Sequence, residues 1–117
     1  MMNAHNENDR LRSMLASCFG AVQLNFRHLP LRFIIDPPQE FQDAQLARQV
    51  AIHLFATRFD VPNRRIADMT GLNRWTVRNA LMAVDNRLDE PVFEAAYRRM
   101  AARAEQLYRQ EVERAAA

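Results

Sequence analysis

The segment from residue 63 to residue 82 carries the side chains with the most specific chemistry: Asn-Arg-Arg-Ile-Ala-Asp-Met-Thr-Gly-Leu-Asn-Arg-Trp-Thr-Val-Arg-Asn-Ala-Leu-Met. A helix over its second half would place Trp75, Arg78 and Asn79 on one side, opposite an apolar row. An arginine pairs with the major-groove edge of guanine, and an asparagine pairs with that of adenine. We therefore predict that these three residues contact the bases of duplex DNA.

Five further residues suit the sugar-phosphate backbone, whose contacts position a protein on DNA without selecting a sequence. Four of them are arginines, whose planar guanidinium group matches a phosphate through paired hydrogen bonds. The fifth is a threonine that flanks the base-reading residues. The predicted backbone contacts are Arg48, Arg64, Arg65, Arg74 and Thr76.

Trp75 has two interpretations, because a large apolar ring on the outer face of a helix needs something to cover it. In the first, the ring contacts thymine methyl groups or sugar edges of DNA. In the second, the ring folds back against another helix or is buried in an oligomer. We take the first as the prediction and keep the second as its alternative.

The elements that position these residues are two helices joined by a tight turn, a helix-turn-helix. Gly71 accepts the positive φ that such a turn needs, and the small Ala67 suits the place where the helices touch. Asn73 is a favourable N-cap, and Pro62 suits the start of a helix. The pattern predicts a helix at 63–69, a turn at 70–72 and a helix from residue 74 to about residue 88.

The basic residues are concentrated in the middle third of the chain. The net charge is only +2, and all sixteen basic residues are arginines. Residues 45–84 contain six arginines and two aspartates, whereas the segments before and after this range each have a net charge of −1. A local positive field of this kind favours a polyanion as the partner.

Hydrophobic periodicity predicts an all-α fold, a compact helical domain of about five helices with a central helix-turn-helix and a long C-terminal helix. Gly20 is predicted to end the first helix. Residues 21–36 are apolar without a clear period, which leaves a short strand or an irregular packed loop as alternatives. The predicted segments are a disordered tail at 1–8, a single DNA-binding domain at 9–115, and further helices at about 9–19, 43–58 and 92–113.

No arrangement of residues in the sequence predicts catalysis, a metal site or a cofactor. His5, His28, His53 and Cys18 lie in separate segments without the spacing of metal ligands. The sequence also lacks an apolar leader and any run of about eighteen apolar residues. We therefore expect a non-enzymatic protein of the cytoplasm, associated with the nucleoid, with no membrane contact and no small-molecule substrate.

Several motifs resemble the C-terminal DNA-binding domain of the DnaA family of bacterial replication initiators. Ala-Arg-Gln-Val-Ala-Ile-His-Leu at 47–54 is similar to that family's Ala-Arg-Gln-Ile-Ala-Met-Tyr-Leu helix, and Leu-Ala-Ser-Cys-Phe-Gly at 15–20 resembles the Phe-Gly end of its first helix. Ile66-Ala67, Gly71 and Trp75-Thr76-Val77 resemble its Ile-Gly, Gly and Thr-Thr-Val positions. The resemblance covers residues 11–110 approximately.

The resemblance implies binding of double-stranded DNA. By position, Arg48 would lie near a phosphate or the minor groove, and Arg74, Trp75, Thr76 and Asn79 would lie on the base-reading helix. The chain departs from the family's Gly-Gly-Arg-Asp-His-Thr-Thr stretch, which is one residue shorter here and lacks the Asp-His pair. It also lacks the lysine-containing phosphate loop of the family's ATPase domain. The resemblance thus implies a stand-alone, divergent relative with its own target sequence.

Two functions from different classes follow from these features. The first is a sequence-specific DNA-binding regulator of transcription or replication. The second is a protein-interaction adaptor that retains the helix-turn-helix and binds a protein partner through Trp75, Met82 and residues 21–36. The apolar seam of the last helix is also compatible with a homodimer.

Overall fold

The computed structural model describes residues 2–117, and all regular secondary structure in that range is α-helical, which confirms the predicted fold class. The one helix beyond the five that the sequence predicts lies between residues 30 and 36. Within the described range, no helix is both long enough and apolar enough to cross a membrane. The helices are α1 (Glu7–Gln23), α2 (Leu31–Ile35), α3 (Gln42–Thr57), α4 (Asn63–Thr70), α5 (Arg74–Arg87) and α6 (Pro91–Ala116).

Helix α3 forms the centre of the core. Every side chain from residue 50 to residue 55 is buried, so this part of the helix has no solvent face. A helix that is covered all round needs neighbours on every side. Helices α1, α2, α4, α5 and α6 provide them, and α1 also packs along α6. The bounds of α3 confirm the predicted helix at 43–58 to within one residue.

Helix α1 is longer than predicted at both ends. It begins at Glu7, where the Asn6 side chain accepts a hydrogen bond from the Asp9 amide at 3.1 Å, and it takes in residues 7 and 8 of the predicted tail. The helix continues through Gly20 to Gln23, so the prediction that Gly20 ends it is wrong. A Cβ atom at position 20 would lie 3.5 Å from Leu107 Cδ1 of α6, which places this glycine in the contact between two helices.

No strand forms within residues 21–36, so that alternative is wrong. The segment consists of the end of α1, a series of tight turns and the five-residue helix α2. Helix α2 starts after Pro30, whose φ of −66° suits the beginning of a helix. Ile34 is fully buried, whereas Leu31 and Ile35 are exposed, so only one side of α2 joins the core.

Hydrogen bonds of the buried His53 connect α3 to both α5 and α6. His53 Nε2 lies 2.7 Å from Asp85 Oδ1, and His53 Nδ1 lies 2.5 Å from the Tyr97 hydroxyl oxygen. Because an ionised carboxylate only accepts hydrogen bonds, Nε2–H donates to Asp85; in the neutral imidazole the Tyr97 hydroxyl donates to Nδ1. Burial raises the pKa of Tyr97, which keeps its proton in place. This contact fixes the C-terminal half of α5 on the core.

Candidate nucleic-acid interface

Helices α4 and α5 and the three residues between them form one local unit, residues 63–87, called here the α4–turn–α5 unit. Helix α4 ends at Thr70 and α5 begins at Arg74 and ends at Arg87, which confirms each predicted boundary to within one residue. The fully buried Ile66 and Val77 attach the two helices to the core. The unit is therefore attached to the core on one side, and its other faces are turned towards solvent.

The turn depends on the backbone conformation of Gly71. Its φ is +74°, and its amide donates to the Ala67 carbonyl at 2.9 Å, which closes the end of α4. The Thr70 hydroxyl supports the same turn, because it donates to the Ile66 carbonyl at 2.7 Å and accepts from the Leu72 amide at 3.3 Å. A Cβ atom at Gly71 would meet nothing within 4 Å, so glycine is needed here for its φ and not for space.

Helix α5 starts with a side-chain cap. Asn73 accepts a hydrogen bond from the Thr76 amide at 2.7 Å, as the sequence predicts for an N-cap. The cap leaves the positive end of the helix dipole near Arg74 and Trp75. Thr76, one of the predicted backbone contacts, is half-buried in this first turn.

The outer face of α5 is exposed along its length. Trp75 is 66% exposed and Met82 is 52% exposed, whereas Val77, Ala80 and Val84 on the opposite side are buried. The indole ring of Trp75 thus does not fold back against another helix, and that part of its alternative interpretation is wrong. Arg78 is exposed and Asn79 is half-buried between Trp75 and Met82, so the three predicted base contacts share this face.

Three arginines converge beside that face. Arg64, Arg74 and Arg78 line one open cavity of about 390 Å³, together with Pro62 and Asn63; this set of three is called here the arginine cleft. None of the three forms an ion pair with any residue in the described range. The cleft therefore holds three arginines without an ion pair, Arg64 in the first turn of α4 and Arg74 and Arg78 in the first two turns of α5.

The other two predicted backbone arginines lie elsewhere. Arg65 is half-buried and is paired with Glu7 of α1 at 3.3 Å, and it also donates to the Asn8 side chain at 3.2 Å. Arg48 lines a separate cavity behind the turn. Burial lowers the pKa of Arg48, and the nearby Asp36 carboxylate partly opposes that effect. The structure thus places Arg64 and Arg74 in the arginine cleft, whereas Arg65 is ion-paired with Glu7 and Arg48 lines another cavity.

Comparison with protein-family models, with curated protein sequences and with solved structures finds no match for this chain. The resemblance to the DnaA family accordingly stays a prediction. Among residues 2–117, no group of three or more histidine, cysteine, aspartate or glutamate side chains is placed to hold a metal ion. The outer face of α5 and the arginine cleft together present hydrogen-bond donors and exposed apolar groups.

Two features of this region were not predicted from the sequence. The pairing of Arg65 with Glu7 joins residues far apart in the chain, and no local pattern signals such a contact. The convergence of Arg78 with Arg64 depends on the packing of α5 against α4. A signal did exist for the cleft, because the local excess of arginine over acid is visible in residues 45–84.

Proposed function

We propose that this protein binds double-stranded DNA in a sequence-specific manner and acts, without catalysis, as a regulator of transcription or replication. The single observation that carries the proposal is the arginine cleft beside the exposed outer face of α5. Arg64 and Arg74 supply phosphate contacts at the start of each helix. Trp75, Arg78 and Asn79 supply the groups that meet base edges when the start of α5 enters the major groove.

The electrostatics of the unit support this proposal. Three guanidinium groups without a carboxylate partner repel each other, and a phosphate backbone relieves that repulsion. The capped start of α5 adds the positive end of its dipole to the same place. The resemblance of residues 11–110 to the DnaA family's DNA-binding domain points to the same partner.

The shape of the unit supports the proposal as well. The Gly71 turn and the Asn73 cap fix where α5 begins, and the contact of His53 with Asp85 fixes its far end on the core. Side chains that read bases must be held at defined positions. A reading helix that is fixed before binding also loses little conformational entropy on binding. Arg48 and Arg65 would contribute at the edge of such an interface, with Arg65 first leaving Glu7.

The experiment is a selection from random-sequence duplexes, followed by fluorescence anisotropy on the selected duplex at two salt concentrations. Arg78→Ala should cost about 1–3 kcal/mol on the preferred site and relax the choice of base at one position. Arg98→Ala is the matched control, because Arg98 is an exposed arginine of α6 that is paired with Glu94. It should leave both the affinity and the selected sequence unchanged.

The outcomes separate the proposal from its alternatives. Equal loss on every duplex after Arg78→Ala would remove its base-reading role. Equal loss of affinity in Arg78→Ala and Arg98→Ala would show that binding depends only on the net charge of the protein. Absence of any binding above that of an unrelated basic protein would overturn the proposal itself.

A second candidate function is protein binding, and the exposure of Trp75 and Met82 favours it. Two large apolar side chains on one helix face are also what a protein partner would cover. Leu31 and Ile35 of α2 add exposed apolar surface in the segment that the adaptor hypothesis uses. An apolar interface would keep its affinity as salt increases, whereas DNA binding would weaken steeply.

A further inference from the structure

A cavity of about 410 Å³ lies against the turn and shares no lining residue with the arginine cleft; it is called here the turn pocket. Its volume falls within the range of sites that hold small organic molecules. Helices α1, α2, α3 and α4 and the turn itself each supply part of its wall. The apolar lining consists of Leu15, Phe19, Ile35, Ile52, Met69 and Leu72.

Arg48 supplies the charge in this pocket. Its side chain is half-buried and forms no hydrogen bond or ion pair with any residue that the structure describes. Asp36 lines the same pocket and attracts Arg48, but the two do not form an ion pair. A guanidinium group that has lost part of its water and gained no partner is a place where an anionic group binds with net benefit.

The remaining polar group of the wall is already occupied. The Thr70 hydroxyl donates to the Ile66 carbonyl and accepts from the Leu72 amide, so it has little capacity left for an occupant. Ile35 also lines the pocket and is 50% exposed, so an occupant could cover apolar surface there. The pocket therefore matches a molecule with one anionic group and an apolar body.

We propose that the turn pocket binds a small organic acid, with its carboxylate on Arg48 and its apolar body against Leu15, Phe19 and Ile35. A DNA phosphate offers the same anionic chemistry to Arg48, but it has no apolar body to fill the pocket. The occupant would contact Met69, Gly71 and Leu72, so it would lie directly against the backbone of the turn. This site does not depend on DNA binding, and its test contains no DNA.

The test is a titration of the full chain, labelled with ¹⁵N, by octanoate in two-dimensional NMR. The expected result is a saturable shift of the amide signals of residues 69–72. Octanol has the same apolar body without the charge and should bind about tenfold more weakly or worse. Inorganic phosphate, which has the charge without the apolar body, should not produce these shifts.

Two substitutions of Arg48 test whether this residue binds the carboxylate of octanoate. Arg48→Gln should weaken octanoate binding about tenfold, and Arg48→Lys should restore much of the affinity. Arg12→Gln is the matched control, because Arg12 lines the adjoining cavity but is paired with Asp9 at 3.6 Å. It should bind octanoate as the unchanged protein does.

Four results would overturn the inference. Equal affinity for octanol and octanoate would remove the role of the charge. Shifts of the same amides by phosphate alone would reduce Arg48 to a phosphate contact. Equal losses in Arg48→Gln and Arg12→Gln would show that only net charge matters. Shifts that are absent, or centred away from the turn, would remove the site.

Discussion

Arginines lie on the outer faces of both α5 and α6, but their surroundings differ. On α6, Arg98 is paired with Glu94 and Arg114 with Glu111, each within one turn of the helix. In the arginine cleft, Arg64, Arg74 and Arg78 have no carboxylate partner among the described residues. Two of the five arginines of α6 are therefore compensated by an ion pair within their own helix, whereas none of the three arginines of the cleft has such a pair among the described residues.

The difference arises from the acids rather than from the arginines. Residues 91–117 contain five arginines and four glutamates, whereas residues 63–87 contain five arginines and two aspartates. Of those two aspartates, Asp85 is held by His53. A polyanion gains more from a surface whose cations are not already paired, because no internal ion pair has to break first. Counting positive residues alone would not distinguish the two faces.

The largest expected effect comes from removing the cleft. Changing Arg64, Arg74 and Arg78 together to Gln should weaken binding of the selected duplex by about 100-fold or more. The dependence of log K on log salt should become shallower by roughly 2, since about two phosphate contacts are lost at about 0.9 each. Anisotropy titrations at several salt concentrations measure both quantities.

The matched control for the cleft is the triple change of Arg98, Arg99 and Arg103 to Gln on α6. It removes the same number of charges and should alter affinity less than threefold, approximately, because distant exposed charges are screened. Similar losses in the two triple variants would contradict the distinction between the two faces.

The second prediction tests the turn rather than the charges. Gly71→Val should lower the free energy of unfolding by about 1–3 kcal/mol, because a β-branched residue is strained at a φ of +74°. Gly20→Ala is the control, since its Cβ would make an ordinary 3.5 Å contact with Leu107. The alanine should stabilise α1 by about 0.5–1 kcal/mol. Urea unfolding measures both changes, and an unchanged midpoint for Gly71→Val would refute the role of the turn.

The third prediction concerns alkaline pH and two buried groups of the core. Burial raises the pKa of Cys18 above its ordinary value of 9.0 and that of Tyr97 above 10.0. Both groups stay neutral in the folded state and ionise in the unfolded chain, so stability is complete below about pH 9 and is lost as the pH rises. Each group should contribute a slope of about 1.4 kcal/mol per pH unit above its ordinary pKa.

Urea unfolding across the alkaline range measures that slope. Cys18→Ala should remove the decline that begins near pH 9 and leave the later one that Tyr97 causes. Stability that rises with pH in this range would mean that neither group is buried in the neutral form.

The fourth prediction concerns Trp75, a feature of the α5 face that charge does not explain. Replacing the thymine beneath the ring by deoxyuridine removes only the C5 methyl group. In the selected duplex this change should weaken binding severalfold for the unchanged protein and leave Trp75→Ala almost unaffected, because the apolar contact is worth about 1 kcal/mol. If neither protein responds to deoxyuridine at any thymine of the site, Trp75 does not contact a methyl group.

The smallest expected effect is on α6 itself. Glu94→Gln removes one partner of an exposed pair and should lower the free energy of unfolding by about 0.3–0.5 kcal/mol. DNA affinity should stay constant. A loss well beyond about 1 kcal/mol in urea unfolding would mean that the paired face of α6 contributes more to the fold than its exposure suggests.

Local signals explain why the α4–turn–α5 unit was predictable from the sequence. Pro62 restricts its own φ, Gly71 permits the positive φ of the turn, and Asn73 caps the next helix. These signals act within a few residues, so the helix bounds follow without knowledge of the rest of the chain. The outer face of α5 follows from the helical period alone. The predicted base contacts consequently share one face in the structure, although their contact with DNA stays a proposal.

Non-local packing explains what could not be predicted. Gly20 has the type of a helix stop, yet α1 continues because its surface packs on α6, where Leu107 lies. Helix α2 has only five residues, too few for a period to show, and burial of Ile34 holds it in place. Arg65 is paired with Glu7 of α1, and Arg48 lies on α3, so the separation of these two arginines from the cleft likewise depends on elements outside the unit.

Cys18 provides an internal probe of how often the domain opens. It is the only cysteine, it is fully buried in α1, and burial disfavours the reactive thiolate. A thiol reagent can modify it only in the moments when α1 separates from α3 and α6, so the labelling rate reports how often the domain opens. Any partner that binds the closed domain must slow that rate in proportion to its occupancy, whichever surface it uses.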